Sequence, residues 1–304
     1  MLIEANCVKS ALNTVGLTLQ ADVGESFMVK AIYVGRVTSV PYLAVKVDNF
    51  SVAYYRTYGK RGCELGGQRL VYKGYNLMKK CIDRGLPFAI PIAEGQKLTL
   101  PALDGIGSMQ VVYDRYTAGD IKATDSNGTA SRKQGFIQYM TTSTVLTASG
   151  DLLLDASLTP AEYPNFPCGD VVPSKMSIIL HGIHGSPFAD FASSGNGFYT
   201  TYLKLIRDRQ VLLDEDRNGI IFLGCAAATG AGYYQNVQSL IGCGGEQGDA
   251  DAGFKFDDPF WFTPPLKFMS GEELLVYLSI VKVGTHTMPT GLPDIGLILE
   301  VNRE

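Results

Sequence analysis

The feature that most constrains this chain is a two-residue alternation of apolar and polar side chains, carried by β-branched and aromatic residues and recurring almost from end to end. It predicts strands at Ser26–Val34, Tyr42–Val47, Val52–Tyr58, Lys97–Leu100, Met109–Tyr116 and Ile137–Leu146. A second series follows at Lys175–His181, Phe198–Ile206, Gln210–Leu213, Ile220–Leu223, Glu273–Val283 and Ile295–Val301. Clusters of Gly, Pro, Asn and Asp, the residues that make turns, separate them. Only Glu4–Leu12 and Asn76–Asp83 read as helical, the second with Asn at its start and Gly85 just past its end.

Composition agrees with many short strands joined by tight turns. The chain has 34 Gly, 14 Pro, 16 Tyr and 14 Phe, with only 18% charged residues. A disordered chain would be more charged and less aromatic. Its 304 residues suffice for two domains, expected at 1–150 and 151–304. No apolar run reaches the length of a membrane-spanning helix and Met1–Leu12 does not resemble a leader, so the expectation is a soluble protein made in the cytoplasm. Six scattered cysteines without a C-x-x-C pair read as buried thiols, not as a zinc or redox site.

Two signatures recur in the same order in each half. Tyr42, Leu43, Val45 and Asp48 match Tyr202, Leu203, Leu205 and Asp208 at an offset of 160. Phe88, Pro91 and Gly95 with Leu98 and Leu100 match Phe262, Pro265 and Gly271 with Leu274 and Val276; the offset is 174 at Phe88. The second signature reads as a crossover, in which proline ends one strand, glycine allows the turn and an apolar alternation re-enters the core. The expected fold is therefore all-β: two tandem jelly-roll sandwiches of Greek-key antiparallel strands, with short helices in connections.

With those paired segments and a long insert in each half, the chain resembles the double jelly-roll major capsid proteins of tailless icosahedral viruses that carry an internal membrane. The likeness covers nearly the whole chain and is one of architecture, not of a specific motif. It implies a structural, non-enzymatic role in the virion: a homotrimer whose six barrels form a pseudo-hexagonal tile. Its partners would be further copies of itself, vertex or membrane proteins and a nearby internal lipid membrane.

Charge distribution fits such self-association. Residues 1–150 carry 17 basic and 11 acidic groups, a net +6, whereas 151–304 carry 9 and 19, a net −10. An insert at about 56–87 is basic, with Arg56, Lys60, Arg61, Lys79 and Lys80 as candidate contact residues. An insert at about 214–258 is acidic and Gly-rich, with Asp249, Asp251, Asp257 and Asp258 as counterparts. Opposite signs would steer the first half of one subunit toward the second half of its neighbour, a head-to-tail contact that closes into a ring. Two unrelated solvated faces would give the same pattern. Residues 1–30 hold only Lys9 and Lys30 against three acids, so direct nucleic-acid binding is not expected. The N-terminal segment is expected as a short helix beneath a barrel or near the membrane.

Other motifs fall short of a site. Asp214, Asp216 and Asn218 open a D-x-D-x-N-G calcium loop, but Cys225 stands where the closing Glu belongs. The flanking alternation reads Asn218-Gly219 as a hairpin turn instead. His181 and His184 lack a third metal ligand at suitable spacing. Gly224–Gly232 and Gly242–Gly253 spell neither a P-loop nor a dinucleotide fingerprint, and no G-x-S-x-G elbow occurs. No catalytic residue, metal or cofactor is assigned. The alternative function is a β-sandwich carbohydrate- or receptor-binding module using Trp261, Tyr233 and Tyr234 as stacking platforms, although Trp261 between two phenylalanines reads as core. A β-sandwich hydrolase ranks third.

Overall fold

Strand pairing satisfies main-chain groups between segments, so each half-buried alternating run needs at least one neighbouring strand. The computed structural model describes residues 1–35, 42–57, 64–65, 76–105, 107–121, 133–145, 147–158, 166–167, 171–184, 197–214, 220–226, 259–283 and 295–303. The chain is an all-β protein of antiparallel sheets. It divides into two compact units, Met1–Phe136 with Glu300–Asn302, and Ile137–Leu299 with Arg303–Glu304. The strand Lys133–Thr141, which the division at 150/151 assigns to the first half, thus lies mostly in the second unit.

Among the described residues, eight strands lie wholly in the first unit: β1 (Leu2–Leu12), β2 (Leu17–Gln20), β3 (Glu25–Val34), β4 (Tyr42–Val47), β5 (Phe50–Arg56), β6 (Ile90–Ile92), β7 (Lys97–Leu100) and β8 (Ser108–Thr117). They form two sheets ordered β1-β8-β3-β6 and β2-β7-β4-β5. Ten more strands follow: β9 (Lys133–Thr141), β10 (Gly150–Leu153), β11 (Ala156–Ser157), β12 (Met176–His184), β13 (Gly197–Arg207), β14 (Gln210–Leu213), β15 (Ile220–Ala226), β16 (Phe260–Phe268), β17 (Leu274–Val283) and β18 (Ile295–Arg303). Their sheets run β11-β9-β18-β12-β16 and β10-β17-β13-β14, with β15 also pairing with β13.

The two sets of strands follow one path. Setting aside β11 and β15 and numbering the remaining later strands 1 to 8 gives 1-8-3-6 for β9-β18-β12-β16 and 2-7-4-5 for β10-β17-β13-β14. These are the orders of the first unit's two sheets.

Burial follows the alternation. On β4, Leu43, Val45 and Val47 are fully buried between less buried neighbours, as are Leu98 and Leu100 on β7. Each such side chain stabilises the fold by about 1.5–3 kcal/mol relative to exposure. In the second unit Leu203, Leu205, Leu274, Val276 and Leu278 play the same part. β18 lies between two strands and is buried on both faces from Ile295 to Val301, which explains its nearly continuous apolar sequence.

The helix α1 (Leu77–Asp83) forms as the sequence predicts. The Asn76 side chain accepts from Lys79 N at 2.8 Å, and Gly85 takes a left-handed φ of +80° beyond the last turn. Glu4–Leu12, by contrast, is not helical. It belongs to β1, because pairing with β8 from Leu2 to Leu12 satisfies its backbone and overrides a local apolar spacing that mimics a helix. Among the described residues no helix is long and apolar enough to cross a membrane.

Close packing in the first unit depends on Gly135 at the start of β9, where a Cβ would fall on the Phe88 ring. Gly135 N also donates to Pro87 O at 2.8 Å, which fixes the approach. Gly135→Ala is therefore expected to cost about 1–3 kcal/mol through forced displacement of that ring. A urea denaturation curve with unchanged slope and a lower midpoint is the expected result.

Candidate functional site

Two of the repeated signature residues, the Asp and the Gly, meet at one kind of corner, built twice. The β4–β5 hairpin turns through Asp48 and Asn49, and the β13–β14 hairpin through Asp208 and Arg209. Asp48 and Asp208 hold left-handed φ values of +53° and +51°, which Asp tolerates better than most residues. Asp48 N donates to Lys97 O at 2.7 Å, while its Oδ1 accepts from Lys97 N at 3.0 Å. Asp208 N donates to Glu273 O at 3.1 Å, and its Oδ1 accepts from Glu273 N at 2.9 Å. Each carboxylate thus receives an N–H at the entry of the strand that crosses back into its sheet, from Lys97 at the start of β7 and from Glu273 immediately before β17.

Most of the remaining bonds of the corner are duplicated as well. Gly95 N donates to Ala21 O, and Gly271 N to Val172 O, both at 2.9 Å. Ala21 N donates to Gln96 O at 3.0 Å, and Val172 N to Glu272 O at 2.9 Å. Gly95 and Gly271 adopt φ of +82° and +87°, closed to most side chains, so this glycine is a turn requirement in both halves. The Gln96 side-chain oxygen accepts from Ala93 N, and the Glu272 carboxylate from Met269 N. Even the irregularities agree: β4 shifts register against β5 between Val45 and Lys46, and β13 against β14 between Leu205 and Ile206.

These pairs fix the true equivalences. Asp48 corresponds to Asp208 at the expected offset of 160, and Tyr42 to Tyr202 with it. Gly95 corresponds to Gly271 at 176, an offset that holds back through β6: Ile92 pairs with Phe27, and its counterpart Phe268 pairs with Ile178. Pro91 therefore matches Lys267. The expected matches of Phe88 with Phe262 and Pro91 with Pro265 are two residues out of step. The cause lies in β16, where Leu266 pairs with Leu180 but Trp261 already pairs with Gly182, so Phe262–Pro265 bulge out of the ladder. Phe88 is buried, whereas Phe262 is half-buried and Pro265 exposed.

One left-handed turn position carries glycine in only one of the corners. Gly24 (φ +89°) precedes β3, and at the equivalent place before β12 stands Lys175 (φ +60°). Glu25 N donates to Asp22 O in the first turn, and Met176 N to Pro173 O in the second.

Candidate contact charges fare unevenly. Arg56 is not a surface cation: it is buried, its N donates to Glu64 Oε2 at 3.2 Å, and the N–H of the equally buried Glu64 donates to Arg56 O at 3.0 Å. This correction follows from Glu64 lying opposite the end of β5, which the sequence does not reveal. Lys79 is exposed on α1 but pairs with Asp83 at 2.6 Å, four residues on, so its charge is locally balanced. Lys80 is half-buried on the same helix. Lys60, Arg61, Asp249, Asp251, Asp257 and Asp258 lie outside the described residues.

Of the calcium-loop candidates, Asp214 follows β14, while Asp216 and Asn218 lie outside the described residues. His181 and His184 are three apart on β12, an odd separation that directs their side chains to opposite faces of a strand. Among the described residues no three His, Cys, Asp or Glu side chains gather as a metal group. Trp261 is half-buried with its ring against Gly182, while Tyr233 and Tyr234 lie outside the described residues.

A polar node that sequence reading missed sits in the sheet of β1, β8 and β3. Asp114 of the middle strand accepts from Asn6 N at 2.8 Å and pairs with Lys30 Nζ at 2.8 Å; Lys30 also donates to Asn6 Oδ1 at 3.0 Å. Asn6 (φ +58°) and Lys30 lie at the register shifts of β1 and β3, so one carboxylate holds two bulges. Burial works against its charge, but the Lys30 ammonium and the Asn6 N–H outweigh that and hold Asp114 below the usual carboxylate range. Asp155 is lowered in the same way, burial being offset by bonds from the Ser143 N–H and hydroxyl.

No family model, curated protein or solved structure matches the chain.

Three outcomes are expected from this geometry. Asp48→Ala and Asp208→Ala should each lower stability by about 1–2 kcal/mol, since each strips a charged acceptor from a main-chain donor. Lys175→Gly should raise stability by about 0.5–1 kcal/mol by relieving the left-handed strain, measured by chemical denaturation. Because Asp114 titrates lower in the folded chain, its contribution is present above the unfolded value of about 3.9 and disappears as pH falls through the folded value. The stability difference between Asp114→Asn and the parent should therefore shrink as pH is lowered from about 5 to 2.

Proposed function

We propose that the chain is a structural shell subunit: a double jelly-roll major capsid protein that self-associates as pseudo-hexagonal trimers into an icosahedral virion. The observation that carries this reading is the duplicated strand path, 1-8-3-6 with 2-7-4-5 in each half, closed by the same hydrogen-bonded corner. Eight strands in these orders are what two interlocked Greek keys produce, so each half is read as a jelly roll. Two like barrels in one chain let three chains present six barrels around a threefold axis, which is how a trimer approximates a hexagonal tile.

Charge supports contact between unlike halves. The net +6 of residues 1–150 against −10 of 151–304 favours a first half meeting a neighbour's second half over like meeting like. Partners under this reading are further copies of the chain, vertex and membrane proteins of the particle, and an internal membrane nearby. The place of action is the virion.

Light scattering of the purified protein with electron microscopy of the same sample tests the proposal. A mass of three times the 32.9 kDa chain and a pseudo-hexagonal outline is the expected result. A monomer at all concentrations would overturn it and favour a binding module, for which glycan screening with a Trp261→Ala control is the next measurement.

A further inference from the structure

Edge strands expose unpaired main-chain groups, and proteins blunt them by shortness, proline or charge. Several edges here are blunted in that way. β2, β10 and β14 have four residues each, β11 has two, β6 has three including Pro91, and β16 is interrupted at Pro264-Pro265. β1 is different: it has 11 residues on the outside of β1-β8-β3-β6, and among the described residues nothing pairs with its other side.

Its hydrogen-bonding parity is fixed by its neighbours. Asn13 N donates to Gly107 O at 3.0 Å, and the ladder continues in steps of two through Ala11–Met109, Lys9–Val111 and Cys7–Tyr113. Odd residues of this stretch therefore face β8, while Val8 and Ser10 direct N–H and C=O outward and Leu12 its N–H alone, since Leu12 O accepts from Val15 N at 3.1 Å and Gly16 N at 3.2 Å. The side chains at these three positions are exposed as well, Val8 at 57% and Leu12 at 62%.

We propose that this edge pairs antiparallel with the same edge of a second copy, about a twofold axis through Ser10. Outward residues must oppose outward residues, which leaves few registers. An axis at Ser10 sets Val8 against Leu12 twice, Ser10 against Ser10 and Lys9 against Ala11, for about four main-chain hydrogen bonds, two between the Ser10 residues and two from Leu12 N–H to Val8 C=O. Opposing Val8 with Ser10 instead would place Lys9 directly against Lys9, a like-charge pair that destabilises a sheet. Opposing Val8 with Val8 would set Ser10 against Asn6, whose N–H is turned inward to Asp114. Of these three registers, only the one centred on Ser10 pairs apolar with apolar, avoids direct charge opposition and brings Val8, Ser10 and Leu12 into pairing together.

Pairing along five residues is too small to hold two chains alone, since stable interfaces bury roughly 1,200–2,000 Å². Repeated on a multivalent particle it suffices, because several weak contacts engage together. In this respect the inference rests on the trimeric shell-subunit reading, and it assigns β1 to the twofold contact between tiles.

Two variants test it. Ser10→Cys places thiols across the axis at a Cα separation of about 5.5 Å, within disulfide range. Mild oxidation of this variant should give, by mass spectrometry, a pair of N-terminal peptides joined through the substituted position, with Lys9→Cys, which opposes Ala11, linking far less. Ser10→Pro removes an outward donor and spares the ladder to β8, so the trimer should persist while association between trimers weakens at least tenfold. Absence of the crosslink in Ser10→Cys where trimers associate, or unchanged association of Ser10→Pro, would overturn the edge contact. If the parent proves monomeric, the shell reading fails separately; a crosslink in Ser10→Cys at high concentration would still support the edge, and its absence there would sink it.

Discussion

A carboxylate in a hairpin turn that receives the first N–H of a returning strand is the interaction on which this architecture depends. An antiparallel sandwich must carry its chain repeatedly from one sheet to the other, and each crossing threatens to strand main-chain donors. At Asp48 and Asp208 the turn residue uses both its N–H and its side chain to hold the incoming strand, and the glycine two residues before the bonded Lys97 or Glu273 completes the crossing. Register then propagates. Lys46 pairs with Thr99 and Val47 with Leu98 in one half, and Ile206 with Leu275 and Arg207 with Leu274 in the other, the same equivalences at 160 and 176. A one-residue slip at the corner would turn Leu98 and Leu274 away from the core.

Duplication of such a corner is more informative than duplication of apolar residues. Leu and Val repeat wherever strands are buried, whereas a left-handed Asp, a left-handed Gly and their bonded partners recur only where the backbone takes the same path. The differences between the copies fall where the geometry is permissive. Gln96 bonds both Ala93 N and Asp48, while Glu272 keeps only the first function, since a carboxylate cannot donate to Asp208. Lys175 occupies the place of Gly24 at the cost of strain.

Much of this is legible in the sequence, and the failures have physical causes. Strands with strong alternation, such as β4, β7 and β14, are bounded to the residue, and Asn76 announces its helix. β1 reads as a helix because Leu2, Ile3, Ala5, Val8, Ala11 and Leu12 lie at near-helical spacing while Asn6 interrupts the period of two. β6, with three residues, carries too few to show a period. The Phe–Pro match fails because a bulge adds residues without changing the path, so sequence distance and structural position separate within β16. Arg56 looks like surface charge because its buried partner Glu64 is defined by the fold and not by any local pattern.

The fold's treatment of its edges joins these threads. A bulge at Phe262–Pro265 removes β16 from edge pairing, and proline in β6 does the same on the first sheet, so those sides are closed to further strands. β1 instead receives an interior brace: Asp114 pins its bulge at Asn6 and, through Lys30, the bulge of β3. That brace straightens the stretch beyond it, Cys7–Leu12, into a regular ladder with β8 and leaves the opposite side regular too. A long regular edge with exposed Val8 and Leu12 costs solubility in a free monomer. Such a strand is therefore better explained by a contact it makes than by the chain that carries it.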